Sequence, residues 1–263
     1  MGAVIMRYGG LAMAIAMGLI LRFWNLDLKP LWLDETITLL FSLGRRYDDI
    51  PREVLLPLGD LLQTLTWQPQ SCGAIAQTIS QQSTHPPLFF CLMHQWMGYL
   101  QGSEHSLRWQ VRSLSALFGV GAIAIMYILN RVAFSHKAGL WAAGLMAVSP
   151  FAVYLSQEAR HYTLPMLIIA ASLIPLIQLC ATDKPKLLPW LAWVGLSSLG
   201  FYVHYFCAGI CGSGHHISGD LSKAGKVCFG RGDRHQQRHP QYFALAPRFA
   251  RPYPTPRNRL AQV

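Results

Sequence analysis

Charged side chains are scarce in this chain: Asp, Glu, Lys and Arg make up 13% of its 263 residues, against 52% hydrophobic ones. A soluble domain carries about twice that share of charge, so the composition excludes an ordinary soluble globule. With a mean hydropathy of +0.27 it points to a polytopic membrane protein. Acids are the scarcer sign, 12 against 22 Lys and Arg. The formal charge of +10 would suit nucleic acid, but nine of the basic residues and only two of the acids follow Phe206. The basicity belongs mostly to the tail, and no nucleic-acid partner is expected. Six cysteines (Cys72, Cys91, Cys180, Cys207, Cys211, Cys228) lack the Cys-x-x-Cys or Cys/His spacing of a zinc site and read mostly as small core hydrophobes. Also missing are an internal repeat and a glycine-rich nucleotide loop, which argues against a soluble sugar-nucleotide site of Rossmann type.

What the chain does have is long apolar runs. A helix needs roughly 20 residues to cross the hydrocarbon layer, and that ruler selects five segments near 6–23, 113–131, 138–155, 162–181 and 187–206. The first could instead be a cleaved signal peptide, but it continues through Arg22-Phe23-Trp24 with no clear small-x-small cleavage site. Residues 87–100 are apolar yet only about 21 Å long as a helix. The basic connections Arg131 to Lys137 and Asp183-Lys184-Pro185-Lys186 belong inside, which leaves the turn Ser156 to His161 outside. With the N-terminus inside, Asp34 and Glu35 are outside too, and the alternation closes only if 87–100 does not cross. It is therefore expected to lie in the outer interface, with Trp96 and Tyr99 at headgroup depth, and 24–112 becomes one long external loop. Within that loop, Asp48 to Glu53 looks like a turn entering a helix, and Ala74 to Ser80 like a short amphipathic helix.

This topology gathers polar residues on one side: Asp34-Glu35, His85, Arg108 with Arg112, the run Glu158-Ala159-Arg160-His161-Tyr162, and His204. A carboxylate within reach of a hydroxyl can accept its proton, and arginines can grip a phosphate in bidentate fashion. Together they suit transfer from a phosphate-linked donor. Each cluster also has a plain reading. The acid pair could be solvated loop acids, Glu158 and Arg160 a rim salt bridge, His85 a turn residue, and the arginines headgroup anchors. His94 reads as a packed interfacial histidine rather than a ligand.

Trp32-Leu33-Asp34-Glu35, His85-Pro86-Pro87-Leu88, Arg112-Ser113-Leu114-Ser115-Ala116-Leu117-Phe118-Gly119 and the stretch Ser149 to Tyr162 follow one another in order. This set resembles the N-terminal half of bacterial GT-C glycosyltransferases of the protein-mannosyltransferase-like class (glycosyltransferase family 39 type), related also to lipid A aminoarabinose transferases. The resemblance covers roughly 1–206. It implies an all-α polytopic GT-C helix bundle of about five spans, with juxtamembrane helices in the first external loop. It further implies a polyprenyl-phosphate sugar donor, an inverting transfer to an acceptor hydroxyl or lipid, and a site on the periplasmic or extracellular face of the plasma (inner) membrane. Asp34 matches the family's acceptor-activating base, with Glu35 supporting it. His85, Arg108, Arg112, Glu158, Arg160, His161, Tyr162 and His204 become candidates for the donor phosphate and the second-loop wall. Some relatives take a divalent cation; Asp34 and Glu158 would be its ligands here, and their hard oxygens suit Mg or Mn.

Residues 207–263 do not fit. They carry Gly, His, Pro and Arg without period, which composition reads as a disordered basic tail. Read one nucleotide later, the codons for 207–217 permit an apolar run of Val, Leu, Phe and Ile, so a frameshifted translation is the second expectation. Two rival functions remain open at this level: a membrane transporter or lipid-binding protein, which expects ionisable residues inside the spans, and a truncated transferase without activity.

Overall fold

The computed structural model describes residues 2–50, 57, 59, 63–182 and 187–205, with side chains from Tyr8 onward. The tail expectation for 207–263 and the predicted helix after Pro51 lie outside the described residues. Among those described, every regular element is a helix: α1 (Gly2–Phe23), α2 (Leu33–Ser42), a 3-10 turn (Tyr47–Asp49), α3 (Cys72–Gln82), α4 (Leu88–Tyr99), α5 (Leu107–Ala133), α6 (His136–Val148), α7 (Pro150–Ser156), α8 (Thr163–Cys180) and α9 (Leu187–Val203). The five apolar segments are all helical. By length and apolarity α5 and α8 can each cross a membrane, and α6 with α7 makes a third if the bent pair counts as one span; Tyr8–Phe23 and α9 are shorter apolar helices.

Local chemistry sets several boundaries. Ser71, Ser106, Ser135 and Ser149 each accept a hydrogen bond from the backbone N–H three residues on, opening α3, α5, α6 and α7. At the other end of α2, Gly44 adopts a left-handed φ of 69°. Its N–H bonds the Phe41 carbonyl while the Arg45 N–H bonds that of Leu40, a Schellman motif that stops the helix after ten residues.

Helix α5 is the central post, packed by α1, α4, α6, α7 and α8, and α9 lies against α8 and α4. One core joins Leu39, Phe89, Met93, Val111, Leu164 and Val203, so α2 and α4 sit on the same end of the bundle as the start of α8 and the end of α9. A second core, Ala14, Ile123, Tyr127, Ala143 and Ala147, fastens α1 to α5 and α6. Met13, Ile20, Trp141 and Leu145 stay exposed, as side chains facing lipid would.

Helix α4 spans 12 residues, about 18 Å, too short to cross. Trp96 hydrogen-bonds Ser113 of α5 at 2.8 Å and stacks on the exposed Tyr99. His94 is packed as expected: its Nε2 accepts from the Gln70 N–H, its Nδ1 lies 2.9 Å from the Ser42 carbonyl, and Trp67 stacks on it.

Two readings of the sequence are corrected here. The 138–155 segment is not one straight helix: it bends by 60° between Val148 and Pro150. Pro150 has no N–H to return to the Met146 carbonyl, and its ring obstructs a continuous helix. Cys72 and Cys91 are not simply core hydrophobes, because they form a disulfide that ties α3 to α4 across a separation of 19 residues.

Candidate functional site

The candidate residues meet where the end of α1, the start of α2, the turn 157–162 and the end of α9 converge. Glu35 anchors this region. It is fully buried and its carboxylate accepts four hydrogen bonds: from Arg112 Nε at 2.8 Å, Arg112 Nη2 at 2.7 Å, the Ala159 N–H at 2.8 Å and the Trp32 N–H at 3.3 Å. Arg112 in turn places its remaining N–H groups on the carbonyls of Leu26, Lys29 and Pro30 at 2.9–3.0 Å. All five of its donors are engaged.

This changes two expectations. Arg112 was expected on a lipid phosphate, but its guanidinium has no donor left and instead folds the 24–32 loop around itself. Glu35 was expected to share in catalysis, yet its oxygens are saturated; it pins the 157–162 turn to α2. Neither fact has a short-range signal, since the partners lie 77 residues apart.

Asp34 faces the other way. Its side chain is 38% exposed, with Oδ2 3.7 Å from Arg160 Nη2. Arg160 Nη1 donates to the Asp34 carbonyl at 3.1 Å and to Thr38 Oγ1 at 3.0 Å, while its Nε has no hydrogen-bond partner although buried. Tyr162 lies under the guanidinium at 5.4 Å. The Arg160 carbonyl accepts from Ser115 of α5, which fixes the turn's backbone.

Three imidazoles line the same wall. His161 is buried, with ring centroids 5.1 Å from His85 and 5.0 Å from His204, and its Nδ1 has no hydrogen-bond partner. Burial first, then Arg160 and the neighbouring histidines, push its pKa from 6.5 to about 3. Burial, Arg160 and His204 also lower that of His85, against a smaller upward pull from Asp34. Both rings are therefore uncharged near neutrality. His85 is held by Ser83, whose hydroxyl lies 2.8 Å from its Nδ1, in the loop closed by the disulfide.

Glu158 is buried and faces the Tyr154 hydroxyl. It belongs to a cavity of about 500 Å³ lined by Trp24, Trp32, Lys29, Tyr154 and Gln157, with the Glu35–Arg112 pair at its wall. Arg108 is exposed on α5 and takes no part in these hydrogen bonds or ion pairs. Among the described residues no group of three His, Cys, Asp or Glu side chains stands together to hold a metal ion. Asp34 and Glu158, the expected ligands, face Arg160 and Tyr154 instead, so this donor set does not fit a cation cage.

One residue is read in the sequence only as the end of the first apolar run. Arg22, in the last turn of α1, is fully buried and bonds the Met146 and Ala147 carbonyls. The Ser149-Pro150 pair could have flagged orphaned carbonyls there.

The helical architecture and the apolar spans define a membrane protein whose bundle is consistent with the GT-C type, and its polar residues collect at one end of that bundle. Residues 84–210, a little under half of the chain, match the family model described as dolichyl-phosphate-mannose-protein mannosyltransferase. That stretch is thus similar to a membrane glycosyltransferase of the GT-C type. The matched range includes every candidate from His85 to His204 and leaves out Asp34 and Glu35. No curated protein and no solved structure matches the chain.

Proposed function

We propose that the protein transfers a sugar from a polyprenyl-phosphate donor to an acceptor hydroxyl, on a protein or a lipid, at the outer face of the plasma membrane. The observation that carries this reading is the pairing of a partly exposed Asp34 carboxylate with the Arg160 guanidinium, whose buried Nε is unpartnered. Asp34 takes the proton of the acceptor hydroxyl, and the acceptor oxygen attacks the sugar's anomeric carbon from the face opposite the phosphate. The bond from that carbon to the phosphate oxygen breaks, its electrons stay on the phosphate, and the anomeric configuration inverts. Arg160 offers the leaving phosphate its free N–H groups. His85 and His161, uncharged, offer hydrogen bonds without adding charge.

Two observations support the outer face. A disulfide in the first loop belongs to an oxidising compartment, and the basic connection 131–137 lies at the far end of α5 from that loop. The experiment is to supply membranes containing the chain with polyprenyl phosphate bearing a radiolabelled sugar. Label moving covalently to acceptor supports the transferase; label or lipid crossing the bilayer without transfer would establish the transporter reading instead.

A further inference from the structure

A fully buried arginine in an apolar helix needs acceptors, and those Arg22 has found are informative. Nη2 donates to the Met146 carbonyl at 2.9 Å, Nη1 to those of Ala147 at 3.0 Å and Gly18 at 3.2 Å, and Nε to Ser156 Oγ at 3.2 Å. In an unbroken helix the Met146 carbonyl would receive the N–H of residue 150, which is proline. The Ala147 carbonyl would receive that of Phe151, which now sits in the first turn of α7 beyond the 60° bend. Arg22 replaces both missing donors.

The joint is built reciprocally and without slack. Gln157, one residue past α7, donates to the Leu21 and Trp24 carbonyls at 3.0 and 3.2 Å, capping α1 as Arg22 caps α6. Gly18 and Gly119 leave room for it: a Cβ on Gly119 would strike Ser156 and Arg22 Nε, and one on Gly18 would strike Ile123. Immediately after the joint come Glu158, Ala159, Arg160 and His161. The Ala159 N–H is bonded to Glu35, and Arg160 to Asp34 and Thr38.

We propose that Arg22 is a positioning residue: it holds the α6–α7 break at its bend and so keeps the 157–162 turn in register with Asp34 and Glu35. This rests on the transferase reading for its consequence in catalysis, though not for its structural core. The test is a double-mutant cycle of R22M and P150A in the full chain, purified in detergent and followed by thermal unfolding. Alanine at 150 restores an N–H for the Met146 carbonyl. R22M is therefore expected to lower the midpoint clearly in the native background and by half as much or less beside P150A; an equal loss in both backgrounds would overturn the proposal. If R22M does not accumulate, R22K carries the same comparison.

Transfer kinetics supply the second readout. R22M is expected to lower kcat by roughly 100-fold through misplacement of the turn while the donor KM changes little, and R22K, with three donors, to fall between. An unchanged kcat in R22M would count against it. If the native chain transfers no sugar, the proposed function fails while the melting cycle still decides the role of Arg22.

Discussion

Replacing Glu35 by glutamine keeps the side-chain volume and removes the one charge that balances Arg112. The structure sets the size of the effect. Glu35 is fully buried, the Arg112 side chain is 6% exposed, and the pair meets in bidentate geometry at 2.7–2.8 Å. Leaving one member of such a pair buried and uncompensated costs about 3–5 kcal/mol. Glutamine also turns an NH2 toward two of its present donors, either Arg112 Nε with the Ala159 N–H or Arg112 Nη2 with the Trp32 N–H, so donors face donors. At about 2–4 °C per kcal/mol for a chain of this size, the unfolding midpoint should fall by roughly 6–20 °C. The assay is thermal loss of helical circular dichroism in detergent, read for E35Q, R112M and the double variant. The double variant should lose less than the sum of the singles, by about 1–3 kcal/mol, because neither partner is stranded. A melt of E35Q that superimposes on the native one would refute the reasoning, as would strictly additive losses.

Three further outcomes are expected. His161 binds a proton in the unfolded chain near pH 6.5 but in the folded chain only near pH 3, so stability should decline as pH falls through that window, and H161N should flatten the decline in a pH series of melts. Reducing the Cys72–Cys91 bond, or substituting C72S, should remove about 3 kcal/mol of stability, as for a closed loop of this length, and reduction should expose two additional thiols to a maleimide in a gel-shift assay. R160M should lower kcat/KM for the polyprenyl-phosphate donor by roughly 10- to 100-fold, the equivalent of a charge-assisted hydrogen bond of about 1.5–3 kcal/mol, measured with the labelled donor at subsaturating concentration.

The parts of this molecule that were legible in the sequence are those governed by short periods. Apolar runs of fixed length gave the five helical segments, and the 12-residue reach of α4 could be told from a span because charge bias fixed both ends of the path around it. The side on which Asp34, His85, Arg160, His161 and His204 gather followed from counting crossings. The pairings among them did not, because they are tertiary. Nothing local distinguishes Asp34, partly exposed beside Arg160, from Glu35, saturated by Arg112 and two backbone N–H groups. Arg112 and Arg160 have the same chemistry, and only the three carbonyls of the 24–32 loop tell which one has donors to offer a ligand. Cys72 and Cys91 fell in segments of different character, and the approach of α3 to α4 brought them together. The Ser149-Pro150 bend was readable in principle, since proline interrupts a helix wherever it falls in the interior.

Sugar transfer by D34N decides most directly whether this end of the bundle is an active site. The asparagine side chain keeps the size of the carboxylate and its place beside Arg160 but cannot take up the acceptor's proton. The assay uses membranes carrying equal amounts of native and variant chain and a radiolabelled polyprenyl-phosphate sugar. In D34N kcat is expected to drop by roughly 10²–10⁴-fold, while the donor KM and the melting midpoint stay near the native values. Full transfer activity in D34N would contradict the assignment of Asp34 as the base and, with it, the proposed mechanism.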